Sequence, residues 1–147
     1  MKKISSMADV LDFAIAGETK AAELYMKMAA MVENPWMQEK LEGLAQEELR
    51  HRKKLKAVKT GWSALAREDA GDLGIAETLD DVKPHADMDY RELLAFAIKK
   101  ENTSHGLYSR LATIFTEPEL KETFEALARE EAEHKRRFEL EYESLTS

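Results

Sequence analysis

LAQEELRH at residues 44–51 returns as LAREEAEH at residues 127–134. Each copy sets a Glu and a His three apart, Glu48 with His51 and Glu131 with His134, so on a helix the two are neighbours on one face. The flanking residues show that both copies are helical. Met37, Leu41, Leu44, Glu48, His51, Leu55 and Val58 recur at three- and four-residue steps. Leu120, Phe124, Leu127, Glu131, His134, Phe138, Tyr142 and Leu145 do the same. Both Glu-x-x-His pairs therefore lie inside apolar stripes that must face a core.

Two more helical faces precede these. Behind Ser5 or Ser6 as an N-cap, the first runs Met7, Leu11, Ala14, Glu18, Ala22, Tyr25, Ala29 and Val32. The other runs Tyr90, Leu94, Ala97 or Ile98, Glu101, His105, Tyr108, Leu111 or Ala112, and Phe115. Asn34-Pro35 and Glu117-Pro118 break the chain between consecutive faces, because Pro cannot continue a helix but suits the first position of the next. Thr60-Gly61 is expected to end the second helix.

Residues 60–86 carry Gly61, Gly71, Gly74, Pro84 and scattered acids, and read as a crossover with a short helical piece around Ala76 to Asp81. The expected organisation is a single domain, 1–147, made of a hairpin at about 5–59, the crossover, and a hairpin at about 87–145. Bundle loops commonly hold ~2–8 residues, so a connection of roughly 25 argues against an up-down-up-down order. The fold class is all-α: a ferritin-like four-helix bundle of two repeated hairpins joined by one long crossover.

The hairpins are copies of each other. A shift of 83 residues aligns them without a gap and matches Leu11 with Leu94, Phe13 with Phe96, Glu18 with Glu101, Tyr25 with Tyr108, Pro35 with Pro118, Glu48 with Glu131 and His51 with His134. A pseudo-two-fold axis should relate them.

Glu18, Glu48, Glu101 and Glu131 all fall on core-facing stripes. Four ionised carboxylates buried together would repel one another, and burial beside like charge would drive protons onto some of them. Two divalent cations remove the difficulty, with His51 and His134 as neutral donors. One Glu from each of two helices and Glu-x-x-His from each of the other two is the ligand set of carboxylate di-iron and di-manganese bundles. Oxygen-rich donors with one His per metal suit iron or manganese, or a mixed pair, better than copper or structural zinc.

Other residues near the stripes leave alternatives open. Tyr25 and Tyr108 lie two turns beyond Glu18 and Glu101; their hydroxyls bond within the core, donate to a ligating carboxylate, or act as redox-active neighbours in catalysis. His105 replaces Ala22 of the first repeat and reads as an extra ligand, a proton donor or a satisfied core histidine. Glu47 and Glu130 stand one position off the ligand face, facing either the ligands or solvent. His85, in the crossover, has no assigned role. By the repeat, the basic runs Arg50, Arg52, Lys53, Lys54 and Lys135, Arg136, Arg137 should gather toward one end of the bundle.

Composition narrows the function classes. The chain has no cysteine, which excludes disulfides, cysteine metal sites and thiol catalysis. A net charge of −7 disfavours general nucleic-acid binding. Asp9 and Asp12 interrupt any apolar leader, and no apolar run reaches the ~18 residues of a membrane span, so a cytoplasmic protein is expected.

Glu18…Glu48-x-x-His51…Glu101…Glu131-x-x-His134 in two repeated hairpins resembles the ferritin-like di-iron superfamily. The stretches AIAGETKAAELYMKMA and LAQEELRHRKKLK look most like its rubrerythrin branch. The resemblance implies a non-haem di-iron oxidoreductase that reduces hydrogen peroxide, with dioxygen as the other candidate oxidant. In that pattern Glu48 and Glu131 bridge the metals, Glu18 and Glu101 are terminal, and each metal takes one histidine. It also implies a homodimer. Without cysteine there is no rubredoxin-like centre, so electrons would come from a separate donor protein. Typical rubrerythrins carry a further Glu on the third helix, where this chain has Ile98 or Ser104. The other readings are a ferroxidase or iron-storage protein and a non-catalytic metal-binding bundle. No haem is expected, since Leu49 stands where bacterioferritins place a haem-ligating Met, and the sequence shows no fifth helix of the ferritin-cage kind.

Overall fold

A computed structural model describes residues 6–63 and 88–146. They form α1 (Met7–Met31), α2 (Pro35–Ser63), α3 (Tyr90–Ile114) and α4 (Pro118–Thr146). Local chemistry sets the boundaries. Ser6 caps α1 by accepting from the Asp9 amide at 3.1 Å. Asn34 caps α2, its side chain accepting from Trp36 N–H at 2.9 Å, with Pro35 at the first helical position. Asp89 and Glu92 form a reciprocal capping box at the start of α3. Tight turns then tie each hairpin: Gln38 Nε2 reaches back to Val32 O at 2.7 Å, and its repeat equivalent Lys121 reaches Ala112 O at 2.8 Å.

α1 packs along α2 and α3 along α4, and the two hairpins meet along α1–α3 and α2–α4. Their directions follow from the apolar clusters. One cluster joins Met7 and Leu11 of α1, Leu55 and Val58 of α2, Leu111 of α3 with Phe115 just past its end, and Leu120 and Phe124 of α4. The other joins Met28, Leu41, Leu93 and Phe138 with Met37 and Tyr142. So α1 and α4 run one way while α2 and α3 run the other. The end of α2 and the start of α3 therefore lie at opposite ends of the bundle, about 40 Å apart at ~1.5 Å per residue. That is the ferritin-like arrangement with its single long crossover.

Two differences from the sequence reading have physical causes. Helix α2 continues through Thr60 and Gly61 to Ser63. An interior helical Gly costs only about 1 kcal/mol relative to Ala, too little to stop a helix without a left-handed cap, and Gly61 does not adopt one. The basic runs do not share an end. Because α2 and α4 are antiparallel, Arg52–Lys54 lie toward the Phe115 end and Lys135–Arg137 toward the Phe138 end. The expected helical piece at Ala76–Asp81, and His85, lie outside the described residues.

Candidate metal centre

Between the two apolar clusters lies one polar layer. Glu18, Glu48, His51, Glu101, Glu131 and His134 are each no more than 3% exposed, and among the described residues they are the only fully buried charged or polar side chains. Each sits at the middle of its helix, where the apolar stripe turns inward, so their placement follows from the heptad-like spacing of Leu, Phe and Ala around them. The two hairpins deliver equivalent halves.

The six residues form two overlapping groups. Donor atoms of Glu18, Glu48, His51 and Glu131 lie within 4.8 Å of one another, as do those of Glu48, Glu101, Glu131 and His134. Glu48 and Glu131 belong to both groups. His51 Nδ1 lies 2.9 Å from both Glu18 Oε2 and Glu131 Oε1; His134 Nδ1 lies 2.9 Å from Glu48 Oε1. Two donors each ~2.1 Å from a cation at right angles stand about 3 Å apart, so these spacings match adjacent ligands.

The polar atoms crowd together at the middle of the layer. Nine buried nitrogen and oxygen atoms of these six side chains make no hydrogen bond, and they account for every such buried side-chain atom among the described residues. Leaving a buried polar atom unmet costs ~1–3 kcal/mol, more when charged. Like charges at the 4.8 Å limit of the groups would add about 3 kcal/mol per pair at an effective dielectric of ~20. The donors present therefore fit divalent cations.

Without metal, protons carry the compensation. Burial first, then neighbouring carboxylates, push Glu18 and Glu131 well above the usual carboxylate range and raise Glu101. Burial would also raise Glu48, but His134 outweighs it and holds that carboxyl low. Burial would lower His134, yet Glu101 and Glu48 beside the ring push it up to about 11. For His51 burial wins, and the imidazole is held below its usual value.

The partners outside the layer are specific. Tyr25 donates its hydroxyl to Glu101 Oε1, leaving Oε2 turned to the centre. Tyr108 is equally buried; burial and the Glu18 charge push its phenol upward. Each tyrosine leans on one phenylalanine ring, Tyr25 on Phe138 at 5.1 Å and Tyr108 on Phe124 at 6.2 Å. Glu47 lies 2.7 Å from His134 Nε2, and Glu130 lies 3.5 Å from His51 Nε2. Each outer glutamate thus serves the histidine of the opposite hairpin. Sequence alone left Glu47 and Glu130 between ligand side and solvent; only the antiparallel pairing of α2 and α4 decides it. His105 stays outside both groups. It is half-buried, and its Nδ1 donates to Ala128 O on α4 at 2.9 Å. No helix among the described residues is long and apolar enough to cross a membrane.

Comparisons with known proteins bear on the fold and the family. No curated protein shows significant sequence similarity to the chain. Among solved structures, a hypothetical protein from Pyrococcus furiosus (Pfu-1136390-001) has the same fold, with a TM-score of 0.74, 24% identity, and coverage of 94% of this chain and 89% of that one. The rubrerythrin family model matches residues 9–62 and 92–147, the two hairpins that carry all six layer residues. The chain belongs to the rubrerythrin family, whose members point to a di-iron protein.

Proposed function

We propose that the protein is a non-haem di-iron oxidoreductase that reduces hydrogen peroxide, with electrons returned by a separate donor protein. The observation that carries this reading is the pair of buried four-residue groups sharing Glu48 and Glu131. In it, Glu48 and Glu131 would be shared by the two ions, Glu18 and Glu101 would each hold one, and His51 and His134 would serve one ion each. The same donors suit manganese or a mixed pair. When bound, the iron pair supplies one electron per ion, the two that cleavage of an O–O bond requires.

The chain's residues do the rest. Four carboxylates balance the charge of two divalent ions, which lets a charged layer sit in the core. The apolar clusters on either side exclude bulk water and so strengthen every interaction within the layer. Tyr25 holds Glu101 in one orientation, and Glu47 holds the His134 imidazole with Nδ1 toward the centre, while Glu130 stands 3.5 Å from His51 Nε2.

The test is to load the protein anaerobically with ferrous iron and compare its oxidation by peroxide and by dioxygen. Faster oxidation by peroxide, with iron remaining at two per chain, is the expected result. Rapid oxidation by dioxygen with iron accumulating far beyond two per chain would make it a ferroxidase instead. Metal that raises the melting temperature without redox chemistry would leave a structural metal site.

A further inference from the structure

We infer that the two metal positions are unequal, and that Glu47 is the positioning residue that makes the His134 position fill first. This rests on the metal centre proposed above and goes beyond it. The repeat supplies identical ligand types to both positions, so the default expectation is two equivalent ions. What differs is the grip on the histidines.

His134 Nε2 is 2.7 Å from Glu47 Oε2, a full hydrogen bond. His51 Nε2 is 3.5 Å from Glu130 Oε2, and is buried without a hydrogen bond. The surroundings of the two glutamates diverge in the same direction. Glu47 is 33% exposed and has Arg50 at 3.9 Å, whereas Glu130 is 41% exposed. The repeat equivalent of Arg50 is Glu133, a like charge one turn from Glu130. The His134 group also contains Glu101, which Tyr25 already orients.

A carboxylate accepting from Nε2–H does three things for a ligand at Nδ1. It fixes the tautomer that leaves the Nδ1 lone pair free, it locks the ring plane, and it raises the basicity of the donor nitrogen. Removing such a partner typically lowers metal affinity ~10–100-fold. At the His134 position the hydrogen bond to Glu47 already holds the ring plane before any ion arrives, and the ion has only to displace the proton on Nδ1. At the His51 position Glu130 must first close on the ring, and that rearrangement weakens the second binding step.

The experiment titrates the metal-free protein with cobalt(II), following occupancy by visible absorption and the imidazole N–H protons by their paramagnetically shifted, exchangeable resonances. The wild type should bind two ions in resolvable steps, and one slowly exchanging N–H resonance should appear with the first. Glu47→Gln should weaken the first step ~10–100-fold and merge it with the second. Glu130→Gln should leave the first step in place. Both side chains are partly exposed, so the isosteric changes leave the fold intact, which far-ultraviolet circular dichroism checks. Two ions bound in one unresolved step by the wild type, or a first step weakened equally by either substitution, would overturn the inference while leaving the metal centre standing. No cobalt bound by the wild type would overturn both.

Discussion

Tyr25 on α1 donates a hydroxyl hydrogen bond to Glu101 on α3, so the two hairpins are bonded to each other at the rim of the polar layer. The bond is fully buried, and the Tyr25 ring is wedged against Phe138 of α4. One side chain therefore ties three helices. Hydrogen bonds to charged groups contribute about 1.5–3 kcal/mol net. Tyr25→Phe keeps the ring and loses only this bond, so thermal unfolding should shift down by roughly 3–10 °C for a chain of this size. Both metals should still bind, since Glu101 Oε2 is untouched. An unchanged melting temperature would contradict the role assigned to the hydroxyl.

The metal-free protein should lose stability as pH rises, the reverse of ordinary acid denaturation. Glu18, Glu101 and Glu131 have folded values raised above 4.5, so their stabilising protons are held below that value and lost on passing the folded one. His134, raised from 6.5 to about 11, acts in the same sense across that window. Glu48 and His51 are lowered and contribute the opposite slope, below 4.5 and below 6.5 respectively. The melting temperature of the metal-free form, measured from pH 6.5 upward, should fall. Loading metal displaces the protons, so affinity should rise with pH and calorimetry in buffers of different ionisation enthalpy should report proton release.

Replacing a shared carboxylate separates stability from metal binding. Glu131→Gln removes one like charge from the layer while keeping its shape. At pH 8 the metal-free variant should be more stable than the wild type by about 2 kcal/mol, roughly 4–8 °C. It should fail to hold a metal pair. A destabilised metal-free variant would mean that Glu131 is satisfied by the protein alone.

Much of this is legible in the sequence. The stripes around Glu18, Glu48, Glu101 and Glu131 fixed four helices because a three-four spacing survives only on one face. Asn34-Pro35 and Glu117-Pro118 marked the turns because Pro and its predecessor restrict the backbone together. What stayed hidden depends on how helices cross. Glu47 and Glu130 reach histidines 87 and 79 positions away in sequence, and only the antiparallel packing of α2 against α4 brings them there. His105 shares a stripe with Glu101, yet a carbonyl of α4 captures its ring.

Gly61 is the boundary that sequence placed too early. It is helical, and a Cβ added there would meet nothing within 4 Å. Gly61→Ala should therefore stabilise the protein by about 0.5–1 kcal/mol, read as a rise in melting temperature of ~1–4 °C. Destabilisation would show that α2 does not continue through this position in solution.

The central claim is that six buried side chains hold two ions between them. Anaerobic equilibrium dialysis of the metal-free protein against ferrous iron tests it most directly, run beside the double variant Glu48→Ala, Glu131→Ala. Two irons per chain for the wild type, with the pair lost in the variant, is the predicted result. Two irons retained by the variant, or none bound by the wild type, would contradict it.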